Sequence, residues 1–501
     1  MKRALSVAAL VTVFFAALVP SRVCAETTPH PNILFITVDD MNHDTPGCFG
    51  GTVAGITPNI DRLAREGRRF TRAHVAVAVC QPSRECMMTG SFPAVNGATG
   101  FYPVKPNVVT LQERLKEHGY QLGILGKVSH LKPAEKFPWD VQHDLHELGA
   151  GRDPERYYAL TGEFIAQAKV SGRPFFLMAN SHDPHRPWPG ANRERELLGK
   201  QVARSASGQS EDARDAGEAP PFEIPTPSRV YSPDEVPVFG FLPDLPNVRK
   251  EVAQYYTGAR RADLTVGRIL DALRDSGLES NTIVVFLSDN GVSLPFAKSN
   301  CYLTSTRTPL IIRWPGKTEP DSQDQTNFVS AVDLMPTLLE ATAVPIPDGL
   351  QGRSLLPILR GGTELDRDHV FTCYNDTVTK TSYVMRCRQS ARFGYIFNAW
   401  ADGKKTYRSE SMIGLTFEAM KTAAADDPTL AARVEMLIHR APEELYDLQN
   451  DPHALHNLVD DPQYRAELEK SRRETLAWMK SLADPAVADL EALLRRTSPG
   501  N

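Results

Sequence analysis

The sequence predicts an α/β fold, with a large, mostly parallel sheet between helices and then a smaller antiparallel sheet and a helix. Three observations carry this. Near-continuous apolar runs, at residues 32–38 and 282–287, read as strands buried on both faces. Such strands alternate with helix-patterned segments through the larger part of the chain, the order that builds a parallel sheet with helices on both faces. After about Arg360 the alternation gives way to short β-like runs.

Taken in order, residues 1–25 read as a signal peptide. Lys2 and Arg3 precede an apolar run over 4–19, and Val23-Cys24-Ala25 offers small residues at a cleavage point. A membrane anchor needs about 20 apolar residues; this run is shorter and ends at Pro20, and no later segment is apolar enough to span a bilayer. The protein is therefore expected to be exported: periplasmic, secreted or lumenal. A larger domain is expected over 30–362. In it Thr57 caps a helix with Pro58 at its first position and an inward stripe of Ile60, Leu63, Ala64 and Gly67. Thr110 and Glu113 form a capping box for a helix that Gly119 stops. Strands are expected at 121–125, 175–179, 282–287 and 310–313, with a helix over 251–276. Between about 190 and 248 the chain is rich in Pro, Ser, Glu and Arg and weak in periodicity, which reads as a long loop at the mouth of a site. A smaller domain over 363–485 is expected to hold strands at 370–374, 382–386 and 393–398 and a helix over 462–482, ahead of a tail at 486–501.

The chain has 501 residues, 41% hydrophobic and 23% charged, ordinary values for a globular protein. Its net charge of −5 gives no reason to expect nucleic acid or a membrane surface as a partner, so an anionic substrate must be attracted by local charge. Six cysteines follow the signal peptide; Cys373 and Cys387 flank a β-rich stretch and are candidates to staple a hairpin.

Four polar clusters fall where strands end: Asp39-Asp40, Lys127 with His130, His182-Asp183-Pro184-His185, and Asp289-Asn290. Any one of them is by itself an ordinary turn. Together they lie at the carboxyl ends of the strands, where open α/β sheets form their binding crevice. Asp39, Asp40, Asp289 and Asn290 offer hard oxygen ligands suited to calcium or magnesium. Arg84, Lys127, His130, His182 and Lys298 offer cations and protons to an oxyanion. A divalent ion among basic residues suits transfer of a phosphoryl or a sulfuryl group, and these residues alone do not choose between the two.

The stretch Val79-Cys80-Gln81-Pro82-Ser83-Arg84, followed by Met88-Thr89-Gly90, resembles the signature of the type I sulfatases. Gly126-Lys127, His182 with Pro184-His185, Ser288-Asp289-Asn290-Gly291 and Glu444-Leu445-Tyr446-Asp447-Leu448 extend the resemblance along most of the chain. It implies an alkaline phosphatase-like fold, with Cys80 oxidised to Cα-formylglycine by a maturation enzyme. It also implies one calcium ion on Asp39, Asp40, Asp289, Asn290 and an oxygen of modified Cys80. In such enzymes the aldehyde hydrates to a geminal diol. The resemblance implies that Arg84 and Lys127 would hold the diol, that His182 and Lys298 would bind sulfate and protonate the leaving atom, and that His130 would take a proton from the second hydroxyl.

Residues 178–186 and the run from Asp289 to Tyr302 look most like the heparan N-sulfatases, although Lys298 stands where those enzymes carry arginine. Lys127-Val128-Ser129-His130 has instead the spacing of iduronate-2-sulfatase-like proteins. The implied substrate is a sulfated saccharide, N-sulfoglucosamine at a chain end first. An O-sulfated sugar, or a phosphonate or phosphate monoester on the same scaffold, is the alternative. His185, Arg186 and Trp188 are candidate substrate contacts, Arg186 for an anionic group and Trp188 for a sugar face.

Overall fold

The structure is a computed structural model that describes residues 30–207 and 218–497; the expected signal peptide lies outside them. Eight strands form the main sheet: β1 (Asn32–Val38), β2 (Arg68–Phe70), β3 (Gln121–Leu125), β4 (Val141–His143), β5 (Phe175–Asn180), β6 (Thr282–Ser288), β7 (Leu310–Arg313) and β8 (Ser322–Asp324). Their spatial order is β4-β3-β5-β1-β6-β7-β2-β8. The five from β4 to β6 run parallel, and β7 is antiparallel to both of its neighbours.

β1 lies at the centre with every side chain buried, and its alternation divides the core. Leu34, Ile36 and Val38 pack on one face with Tyr157 and Phe164 from the helix Pro154–Ser171 and with Val266 and Ile269 from the long helix Pro246–Asp275. Ile33 and Phe35 pack on the other face with Leu111, Leu115, Met335 and Leu338. Each such fully buried side chain contributes about 1.5–3 kcal/mol. The capping box forms as expected: Thr110 Oγ1 accepts from the Glu113 N–H, and Glu113 Oε2 accepts from the Thr110 N–H.

The C-terminal sheet is antiparallel in the order His369–Asp376, Ser382–Ser390, Phe393–Asn398, Glu443–Asp447. The helices Arg465–Ser481 and Val487–Thr497 cover one face, where Leu468, Met479, Leu490 and Leu493 meet Tyr395 and Leu445.

Three expectations are corrected. The expected tail at 486–501 is helical over Val487–Thr497, because Leu490 and Leu493 supply a stripe for that sheet. The expected loop at 190–248 begins with the helix Glu194–Ala206, which buries Leu198, Val202 and Ala203. Cys373 and Cys387 are both free thiols, since Cys373 faces Arg386 and Cys387 faces Thr372 across the hairpin.

Candidate active site

The expected clusters converge at the carboxyl ends of β1, β3, β5 and β6. Asp39 and Asp40 follow β1, and the Asp289 N–H donates to the Val38 carbonyl (3.2 Å), which keeps the β1 and β6 ends level. Asp40 has a φ of 66° and Lys127, after β3, a φ of 58°. Non-glycine residues in the left-handed region carry strain that the surroundings must fix. Cys80 is the first residue of the helix Cys80–Thr89, every residue of which is buried.

Around the Cys80 sulfur the groups form one network. Lys298 Nζ lies 3.0 Å from Cys80 Sγ and 2.8 Å from Asp40 Oδ1. Cys80 Sγ is 3.5 Å from Asp39 Oδ1, whose other oxygen is 2.5 Å from Lys127 Nζ. Arg84 donates through Nη2 to Asp289 Oδ2 (2.7 Å) and through Nη1 to Thr37 Oγ1 and Asn180 Oδ1 (both 2.7 Å). Asn290 Nδ2 donates to Asp40 Oδ1 (2.6 Å), and His185 Nε2 lies 3.9 Å from Asp40 Oδ2. His182 is fully buried at the end of β5, its ring centroid 6.3 Å from that of His185. His130 is buried on the turn after Lys127, with its N–H donating to the Lys127 carbonyl (3.0 Å).

Asp39, Asp40 and Asp289 each bring an oxygen within 4.8 Å of the others. Asp40 Oδ2 and Asn290 Oδ1 are buried and, among the described residues, accept no hydrogen bond. Oxygen donors left without protons to accept are what a hard divalent cation requires, so the residues fit such an ion. The electrostatics agree. Burial works to raise Asp39, but Lys127, His185, Lys298 and Arg84 together hold it well below the usual carboxylate range. Burial raises Asp40 well above that range, with Asp39 and Asp289 adding to it and Lys298 opposing. Asp289 is pushed up to about 6, by burial first and then by Asp39. Burial disfavours the Lys298 ammonium, yet Asp40 and other anionic neighbours lift it above its ordinary value.

A carboxyl with a raised folded-state pKa favours the native state at low pH and loses that contribution as pH rises through the folded value. Metal-free protein is thus expected to lose thermal stability as pH rises from about 4, the ordinary aspartate value, through the value of about 6 at Asp289. Calcium should reduce that slope, leaving the part that Asp263, also pushed up to about 6 by burial, contributes. Melting curves at several pH values, with chelator and with calcium, check this; identical slopes in both series count against it.

Residues 31–344 match the family model described as Sulfatase. The chain belongs to the sulfatase family. Sulfatases are hydrolases of sulfuric esters or sulfamates, and the architecture here is their alkaline phosphatase-like fold. Residues 294–395 also match the model described as N-sulphoglucosamine sulphohydrolase, C-terminal. Human N-sulphoglucosamine sulphohydrolase is 30% identical over 483 residues, which cover 92% of each chain. An ulvan-active sulfatase of Formosa agariphila is 26% identical over 480 residues, covering 94% of this chain and 84% of its own. A solved structure of a protein in complex with its substrate D-glucosamine-2-N,6-O-disulfate has a TM-score of 0.63 at 20% identity, covering 91% of this chain and 99% of that one.

Beside the centre of this sulfatase lies a cavity of about 450 Å³, within the usual range of small-ligand clefts. His185 and Glu410 connect the two, since both line the cavity while Glu410 Oε1 lies 3.4 Å from Lys298 Nζ. Arg186 and Trp188 line it too, but their own contacts occupy them. Arg186 pairs with Glu251 (2.6 Å) and sits over the Trp188 ring at 4.0 Å. Trp188 is 1% exposed and its Nε1 donates to the Pro184 carbonyl (2.5 Å), so its faces are packed against protein rather than open to a sugar.

Sequence reasoning missed several contacts here. Asp183 is gripped by Arg152 (3.2 Å) and Arg261 (2.6 Å), and its carbonyl accepts from the Asp39 N–H (3.2 Å), so this buried trio sets the turn that carries His182 and His185. Asn180 orients Arg84, and Glu410 arrives from the C-terminal region. Gly151 has a φ of 70°, and a Cβ there would lie 2.7 Å from His182 Cδ2. Gly151→Ala is therefore expected to cost about 1–2 kcal/mol of stability and to lower kcat by displacing His182. Melting and steady-state kinetics check both, and an unchanged kcat would overturn the second.

Proposed function

We propose that this chain is an exported, formylglycine- and calcium-dependent sulfatase that removes sulfate from the ends of sulfated saccharides, with N-sulfoglucosamine of heparan sulfate as the first choice. The observation that carries the reading is the Cys80 sulfur at the first turn of a buried helix, beside Lys298 at 3.0 Å, Asp39 and the paired Arg84. The similarity to N-sulphoglucosamine sulphohydrolase, in the C-terminal match and along the human relative, supports the choice of sugar. The signal-peptide pattern supports export. The Cys80–Arg84 signature supports conversion by a maturation enzyme.

Asp39, Asp40 and Asp289 face three cations (Arg84, Lys127, Lys298), so with all six groups ionised, as cation binding would require, the buried side chains sum to about zero charge. Asp39, Asp40, Asp289 and Asn290 would hold calcium, and with it the centre gains the net positive charge that a sulfate anion needs. A bound ion would supply charge stabilisation to the sulfuryl oxygens, and residue 80 in its hydrated aldehyde form would supply one hydroxyl as nucleophile toward sulfur and a second for the release of sulfate. The chain's own residues do the rest. Arg84 and Lys127 fix the position of residue 80 and of Asp39. Lys298 binds a sulfate oxygen. His182 delivers a proton to the departing nitrogen or oxygen, and His130 accepts one on release of sulfate.

The Lys127-x-x-His130 spacing favours a second reading, an O-sulfatase on a related glycan. Digestion of defined heparin disaccharides, read by mass and chromatography, separates the two. Loss of the N-linked sulfate from the terminal glucosamine is expected. Loss of sulfate only from ring oxygens transfers the assignment to the second reading, and sulfate release from long polymers with no preference for ends removes the chain-end specificity.

A further inference from the structure

The cavity beside the centre has a charge pattern of its own. Its wall nearest Lys298 carries Glu410, and Arg186 there is neutralised by Glu251. The wall made by the helices Glu194–Ala206 and Pro246–Asp275 carries Lys200, Arg204 and Lys250. Lys200 is paired with Glu196 at 2.8 Å. Among the described residues Arg204 and Lys250 have no acidic partner, and the buried Arg204 Nε has no hydrogen-bond acceptor. An arginine held against a cavity wall with an unmet donor is a charge awaiting an anion, and a guanidinium suits the planar pair of oxygens on a carboxylate or sulfate. Leu197 and Ile413 give the same cavity an apolar side.

We propose that Arg204 and Lys250 form an anion subsite that recognises a second acidic group of the saccharide, a carboxylate or sulfate, beyond the one removed at Cys80. This rests on the reading of the centre as a saccharide sulfatase and adds what the enzyme prefers: substrates with two anions over substrates with one. Glu410 reinforces the polarity. It repels a second anion close to Lys298 and leaves the far wall as the place where one is accepted.

Binding can be tested apart from turnover by calorimetry on the full-length enzyme with unhydrolysable product disaccharides, glucosamine linked to a uronic acid. Three probes distinguish the source of the anion: one with the carboxylate intact, one with it reduced to an alcohol, and one with the reduced uronic acid and a 6-O-sulfate. The wild type is expected to bind the first or the third about tenfold more tightly than the second, an ordinary value for one charge-assisted contact. Arg204→Gln with Lys250→Gln should abolish that difference, Arg204→Lys should keep part of it, and melting curves check that the variants fold. Equal binding of all three probes by the wild type overturns the proposal, as does a difference that survives in the double variant. Sulfate release from the defined heparin disaccharides is measured on the same wild-type preparation. Its absence sinks the catalytic reading and leaves the binding comparison to decide the subsite.

Discussion

Cys80→Ala protein is expected to lose at least about 10⁴-fold in kcat/KM on any sulfated substrate, the scale on which removal of a nucleophile from a cooperating group of residues is felt. It should keep its fold. Cys80 is 2% exposed and ends at Lys298 and Asp39, so alanine removes one sulfur atom from a site held by Arg84, Asp289 and the strands behind them. Cys80→Ser sharpens the test. A single serine hydroxyl can attack sulfur and expel the alcohol or amine, but it has no second hydroxyl to drive sulfate off. The variant should therefore turn over once and retain one SO₃ group, which intact-mass measurement reads directly. Mass spectrometry of the wild-type peptide containing residue 80 should show the aldehyde. Substantial turnover by Cys80→Ala protein would falsify the assignment of the nucleophile.

Removal of calcium, or Asp289→Ala, is expected to cost about 10³-fold in kcat, corresponding to several kcal/mol of charge stabilisation at the sulfuryl oxygens. Asp289 is asked to do two things, since Oδ2 accepts from Arg84 (2.7 Å) while Oδ1 accepts from the Asp40 N–H (3.2 Å). Its loss loosens Arg84 as well as the ion. In the wild type, calcium at about 100 times its dissociation constant should raise stability by about 2.7 kcal/mol, because it relieves the mutual repulsion of Asp39, Asp40 and Asp289. Full activity after exhaustive chelation, with the metal shown absent by elemental analysis, would rule the ion out.

The fold was legible wherever one local signal sufficed. The apolar run of β1, the Thr110–Glu113 capping box and the strand ends bearing Asp39, Lys127, His182 and Asp289 all lie where the residue pattern places them. The helix Glu194–Ala206 was obscured by the composition of its surroundings, though Leu198 and Val202 are four apart and face inward. The pairing of Asp183 with Arg152 and Arg261, and the arrival of Glu410, had no sequence signal. Their partners are distant in the chain, and an isolated Arg or Glu reads as surface until the fold buries it. Trp188 failed for the opposite reason: its proximity to the His182–His185 turn suggested a sugar platform, whereas Arg186 lies over it.

The burial of the Cys80 helix has a temporal consequence. The thiol sits behind Lys298, a residue 218 positions later in the chain, and both are sealed from solvent once the sheet has closed. No macromolecular catalyst can grip a side chain so enclosed. The proposed oxidation of this cysteine would therefore belong to the nascent polypeptide, in the interval after residue 80 emerges and before β6 and the Lys298 segment dock beside it. A chain that folds early would be a finished scaffold with an unprimed centre, so on the proposed chemistry the yield of working enzyme would be set by a race between folding and modification.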